Sequence, residues 1–241
     1  MRFDWFDGIC KTSRLVLLLV VVLVLTLNCV QATERQRLLV LTDIGGDPDD
    51  QQSLIRLLLY TNEFEMEGII ATSVKGAIHP DQIHQRIDAY GRVRPNLVHH
   101  AKGYPTAAAL SALVKSGVQT RFMSSVGEGK STDGSDHIIA VVDRDDPRPV
   151  WITVWGAATD LAQALWDVKA NRTGEEVASF IDTLRVYDIA GQDDSAAWIC
   201  HNFPDIHWLR SVDQFQAISV REARPFPPEV TGANIQTFTN E

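Results

Sequence analysis

Cysteine is scarce in this chain: Cys10, Cys29 and Cys200 are the three in 241 residues. No Cys/His cluster occurs, so nothing suggests zinc. Positive charge is also short, with 22 Lys and Arg against 31 Asp and Glu, net −9. A field of that sign repels a phosphate backbone, so no nucleic-acid partner is expected. No Walker loop, Gly-x-Ser-x-Gly elbow or GxGxxG fingerprint is present, which removes the commonest signatures of nucleotide binding and serine-hydrolase chemistry. Repeats and low-complexity tracts are absent as well. What remains is an ordinary globular composition, 45% hydrophobic and 22% charged. The length suits one sizeable α/β domain, or at most two small ones.

One apolar run stands out. Leu15 to Leu27 is broken only by Thr26, and it follows a start in which Arg2, Lys11 and Arg14 outweigh Asp4 and Asp7. Val30-Gln31-Ala32 then offers a small-residue cleavage site. The run falls short of the ~20 residues that span a bilayer, so residues 1–32 are expected to be a signal peptide. The protein is then secreted or periplasmic, and it meets a membrane only if the leader stays uncleaved. Asn28 before Cys29 disfavours a lipid-anchored cysteine. Loss of the leader leaves Cys200 alone, which excludes an intramolecular disulfide. In Trp198-Ile199-Cys200-His201 that cysteine reads as a buried small hydrophobe rather than a nucleophile. Export without disulfides fits a bacterial envelope protein. Asn171-Arg172-Thr173 is a glycosylation acceptor only in a eukaryotic host.

Beyond the leader, short apolar runs alternate with helical spacing. Strands are expected at 38–42, 68–72, 149–155 and 184–189. Helices are expected through Leu54 to Leu59, then at 81–90, 107–115, 135–142 and 160–168. Such alternation implies βαβ units, a mostly parallel sheet and a three-layer sandwich. The domain is placed at 33–210. Residues 211–241, interrupted by Arg224-Pro225-Phe226-Pro227-Pro228, read as an irregular tail or the truncated remainder of the domain.

The loop after the first strand, Asp43-Ile44-Gly45-Gly46-Asp47-Pro48-Asp49-Asp50, carries the most chemistry. In a doubly wound sheet, ligands bind beyond the carboxyl ends of the strands, where this loop falls. Four carboxylates in eight residues repel one another unless a cation or hydrogen-bond donors compensate. Oxygen ligands of this kind suit calcium or magnesium. Capping of the following helix by Asp47 or Asp49 accounts for one or two of the acids, not four. EF-hand spacing fails, since no Asp lies two residues after Asp43 and no Glu closes the loop.

These residues resemble a family. The loop is similar to the Asp-Pro-Gly-x-Asp-Asp signature of nucleoside hydrolases, and Thr153 to Leu165 is similar to their Gly-Pro-Leu-Thr-Asn-Leu-Ala block. The nearer resemblance is to the nucleoside-hydrolase-like domain of cellulose-binding proteins of the Sde182 type. It is carried by the loop and its Gln51-Gln52-Ser53, Gly134-Ser135, Asp146 to Trp151, Gln192 to Ser195 and Phe203-Pro204-Asp205. It runs from about Arg37 to Arg210. The resemblance implies a calcium ion, with Asp43 as metal ligand and general base, Asp50 as a bidentate ligand and the Trp155 carbonyl in the shell. Asp49 would bind a sugar hydroxyl. The loop is two residues longer than the family's, so Asp47 is a candidate for one of Asp49's roles. The family also supplies a late Asp ligand, often a late His, and in the related domain a Gly-Asp-Thr-Pro segment, for which this chain shows no counterpart.

Three functions are therefore expected in order: calcium-dependent hydrolysis of a glycosidic or N-ribosidic bond, a non-catalytic carbohydrate (cellulose) binding protein, and an inactive fragment of such an enzyme. The expected partner is a nucleoside or carbohydrate, and a homo-oligomer is compatible. His79, His84, His99 and His100 read as solvated positions. Among the tryptophans, Trp198 is the one expected outside the core.

Overall fold

The computed structural model describes residues 34–211. The expected leader and nearly all of the expected tail lie outside them. Six strands form one sheet: β1 (Gln36–Thr42), β2 (Phe64–Ala71), β3 (Val114–Ser116), β4 (Val150–Val154), β5 (Leu184–Ile189) and β6 (His207–Ser211). Their order is β3-β2-β1-β4-β5-β6, and every pairing is parallel. Seven helices connect them: α1 (Asp49–Leu58), α2 (Pro80–His100), α3 (Ala107–Ala112), α4 (Asp133–Val142), α5 (Thr159–Asn171), α6 (Gly174–Thr183) and α7 (Asp194–Asn202). The expected α/β sandwich is the fold observed.

The apolar side chains fall into two clusters, one on each face of the sheet. Leu54 and Leu58 of α1, Ile83 and Ile87 of α2 and Leu110 of α3 pack with Ile69 and Ala71 on one face. Ile138 of α4, Leu161 and Leu165 of α5, Phe180 of α6 and Ile199 of α7 pack with Leu39, Leu41, Ile152 and Val186 on the other. β1 is buried from Arg37 to Thr42, as a central parallel strand should be. By contrast β4 and β5 alternate between buried and half-buried positions.

Local chemistry fixes the helix starts. Thr132 and Ser135 form a reciprocal capping box at α4, and Thr173 and Glu176 form another at α6. The expected helix at 107–115 ends at Ala112. Val114 to Ser116 pairs instead with Ile69 to Ala71 as an edge strand. The helix expected at 81–90 runs on to His100 despite Pro95. Its later turns are tied down, because Tyr90 and Arg94 donate to the Tyr104 and Pro105 carbonyls. Cys200, expected to be buried, is exposed on α7. Trp198, expected outside the core, half-buries against it with its ring edge-on to Phe203.

At the amino edge of the sheet Arg37 is fully buried. Its Nε donates to Glu67 at 2.6 Å and its terminal nitrogens donate to the Val141 and Arg148 carbonyls at 2.6 and 3.2 Å. Glu67 also pairs with Arg144, while Arg148 bridges Asp146 and Glu65. This network joins β1, β2 and the segment entering β4. Removing one partner of a buried pair strands the rest. Arg37→Ala should therefore lower the unfolding free energy by about 3–5 kcal/mol in a urea titration.

Candidate functional site

The winding of the sheet reverses at β1, whose neighbours are β2 on one side and β4 on the other. The loops leaving β1 and β4 therefore diverge to opposite faces and open a crevice beyond their carboxyl ends. Residues 43–48 and 155–158 form it. Residues 117–126 and 190–193, from the loops after β3 and β5, flank it.

Asp43 and Asp50 meet there. Thr42 donates its hydroxyl to Asp50, and Asp50 is buried at the start of α1. Burial lifts the Asp43 carboxyl above its ordinary value. A hydrogen bond with Asp50 and the charge of Arg121 oppose that rise. Burial first, and the Asp43 charge second, push Asp50 well above the ordinary range. Arg121 approaches Asp43 at 3.9 Å, donates to the Gln192 carbonyl and lies over the Phe122 ring at 5.4 Å.

The other loop acids are placed differently. Asp49 is half-buried, and its carboxylate accepts from the Asp50 amide at 3.0 Å. Burial also raises its pKa. Asp47 is exposed on the loop. The Trp155–Gly156 peptide lies against Asp43: any Cβ at Gly156 would overlap the carboxyl. The Trp155 amide donates to the Leu41 carbonyl at 2.9 Å, and its own carbonyl accepts from the Gln192 side chain at 2.5 Å. Gly45 has φ +108°, and a Cβ there would collide with the His79 ring. His79 is thus packed on the loop rather than merely solvated, as the sequence reading had it.

As oxygen donors, Asp43, Asp50 and the Trp155 carbonyl fit a hard cation in kind. A buried carboxyl held against a half-buried one is also what such a charge would relieve. In number they fall short. Among the described residues no three His, Cys, Asp or Glu side chains converge as metal ligands.

Sequence reasoning gave no role to Arg121, Gln192 or Asp160. Arg121 sits in an aperiodic loop, and Gln192 acts through its backbone and amide, so neither left a spacing signal. Strained backbone marks their neighbourhood: Phe122 and Ala190 have φ +87° and +66°. Asp160, second residue of α5, is fully buried beside the crevice. Its Oδ1 accepts from Thr132 at 2.8 Å and from the Val118 amide at 2.9 Å, while Oδ2 has no partner among the described residues.

A family model described as "Cellulose-binding Sde182, nucleoside hydrolase-like domain" matches residues 37–237. Among solved structures, a nucleoside hydrolase-related hypothetical protein from Saccharophagus degradans, associated with carbohydrate metabolism, is similar. Identity is 44%, the TM-score is 0.71, and the match covers 73% of this chain and 44% of that one. The chain therefore spans less than half the length of that protein. No curated protein matches.

Burial holds the Asp160 carboxyl at about 6 instead of 3.8, opposed by the Thr132 and Val118 hydrogen bonds. A raised value means that the neutral acid is the form the fold favours. Its contribution is complete below 3.8 and is lost as pH rises through about 6. Asp160→Asn keeps an acceptor and removes the titration. Between pH 4 and pH 7, the unfolding free energies of variant and wild type should diverge by about 2–3 kcal/mol in the variant's favour. Denaturant unfolding at both pH values measures this.

Proposed function

The chain belongs to the nucleoside hydrolase-like domain family of cellulose-binding Sde182, and on that premise we propose an exported hydrolase of a glycosidic or N-ribosidic bond. The observation that carries this reading is the buried Asp43–Asp50 pair against the Trp155–Gly156 peptide, in the crevice where the winding reverses. A carbohydrate or nucleoside ligand suits a family that is cellulose-binding and nucleoside hydrolase-like.

Asp43 and Asp50 would hold a calcium ion, with the second lone pair of the Trp155 carbonyl beside them. Calcium bound there would orient ligand hydroxyls and acidify a water. Asp43, beside the cation it would help to hold, is the group that would act as general base. It would take the proton of the water that attacks the anomeric carbon while the bond to the leaving group breaks through an oxocarbenium-like transition state, the leaving group taking a proton from solvent. Thr42 fixes the Asp50 rotamer, and Gln192 fixes the Trp155 carbonyl. Arg121 balances charge as the crevice loses water on binding. Asp49 would accept from a sugar hydroxyl, with Asp47 on the open side of the loop as the alternative for that role.

The family's cellulose-binding description favours a second reading, in which the same crevice clamps a sugar without turnover. Hydrolysis of nitrophenyl ribosides and glycosides distinguishes the two. Turnover that falls by about 10²–10⁴-fold in Asp43→Asn is the expected result. Retention on insoluble cellulose with no turnover in either protein favours the second reading. By calorimetry, calcium should bind saturably with Kd near ~10⁻⁴–10⁻³ M, and Asp50→Asn should abolish the binding.

A further inference from the structure

Two aromatic side chains come close to the acidic crevice. Trp155 lends it a peptide, while its side chain joins Phe64, Trp151 and Tyr187 in an apolar groove of about 380 Å³ over β1, β4 and β5. Phe122 stands at the rim itself, on the loop after β3. Among the described residues it is the exposed aromatic beyond the carboxyl ends of the strands, with 45% of its surface open. The Arg121 guanidinium approaches Asp43 at 3.9 Å and lies 5.4 Å from the centre of the Phe122 ring. One cation thus touches both the acid and the phenyl group. A single exposed apolar side chain is ordinary; the backbone beneath this one is not. Phe122 has φ +87° and ψ +158°, a region that belongs almost entirely to glycine.

Its neighbours hold it there. The Arg121 side chain donates to the Gln192 carbonyl, the Phe122 amide donates to Thr159 Oγ1 at 3.1 Å, and the Met123 amide donates to Asp194 Oδ1 at 2.8 Å. Thr159 Oγ1 donates in turn to Asp193 at 2.8 Å, and the Phe122 carbonyl accepts from the Ser125 amide at 3.0 Å. At residue 122 these bonds use main-chain atoms alone, so a glycine would keep them and shed the strain. The clamp therefore gains nothing from the phenyl group. We propose that Phe122 is a ligand-contacting residue, its ring a platform for the C–H face of a sugar ring entering the crevice. This rests on the carbohydrate reading of the crevice and adds a specificity-determining contact to it. The two sides of the site are complementary to the two aspects of a sugar. Carboxylates and Arg121 suit the hydroxyls at the ring's edge, and a phenyl group suits its apolar face. Backbone held in place before binding also reduces the ordering that contact would cost.

Calorimetric titration with cellotetraose and with methyl β-ribofuranoside, calcium present, tests this beside denaturant unfolding of the same proteins. Whichever sugar binds the wild type should bind about tenfold more weakly to both Phe122→Gly and Phe122→Ala, and near normally to Phe122→Tyr. The two weakened variants should part in stability. Phe122→Gly should unfold at the higher denaturant midpoint, the reverse of their order at an ordinary loop position. In wild-type protein carrying labelled phenylalanine rings, sugar C–H protons should cross-relax with the Phe122 ring, a signal that a role exerted only through Arg121 would not give. Unchanged affinity in Phe122→Gly overturns the proposal and leaves the carbohydrate reading standing. So does a Gly variant no more stable than the Ala variant, or bound sugar without contact to the ring. Binding of neither sugar by the wild type overturns the proposal together with the carbohydrate reading.

Discussion

A parallel sheet wound in two directions from one central strand imposes most of what is distinctive here. β1 has β2 on one side and β4 on the other, so the chain must cross from one half of the sheet to the other between β3 and β4. Right-handed crossovers then put the helices of the two halves on opposite faces. A crevice opens at the carboxyl end of the reversal, and among the described residues α1 to α3 cover only the β1 to β3 half of their face. The acidic site and the apolar groove are two results of the same topology. Trp155 touches both: its peptide walls the crevice, and its ring lines the groove.

The electrostatics of the crevice run against stability. Asp43 and Asp50 each sit above their ordinary pKa because burial disfavours their charge, and the Asp43 charge makes ionisation of Asp50 harder still. Arg121, Thr42 and Gln192 hold the geometry without neutralising it. Proteins keep such arrangements where charge is needed for binding or proton transfer. The opposite edge of the sheet has the reverse character. Arg37, Glu67, Arg144, Asp146 and Arg148 satisfy one another there, and the Asp146 carboxyl is held far below its usual range by Arg148.

The fold was legible in the sequence wherever hydrophobic period and turn residues agreed. Leu184 to Ile189 is the strand expected, and Gly45-Gly46 marks the turn that brings the loop back over Asp43. Legibility failed where tertiary contact overrode local pattern. Val114 joins the sheet because Ile69 to Ala71 offers an open edge, and α2 outlasts Pro95 because Arg94 and Tyr90 clamp it from outside. The segments of α6, α7 and β6 carry mixed polarity and gave no clear period. In the site, the acids of the loop were visible because they are crowded in sequence. Their partition was not. That Asp50 is buried with Asp43 while Asp47 faces solvent depends on Thr42 and on the entry angle of α1. Arg121 arrives from a strand two places away, a proximity no spacing encodes.

The connections themselves are unequal. At the amino edge α6 ends at Thr183 and β5 begins at Leu184 with no residue between, and α3 reaches β3 through Leu113 alone. At the carboxyl edge the chain wanders, longest from 117 to 132 between β3 and α4. Loop-closure entropy grows slowly with length, so the long rim accepts insertions at little cost. The two joints at Leu113 and at Thr183–Leu184 cannot, because one added residue there would rotate a helix against its strand. Changes in what this scaffold recognises are therefore accommodated most readily in the long loop at 117–132, which can vary without moving a helix against its strand.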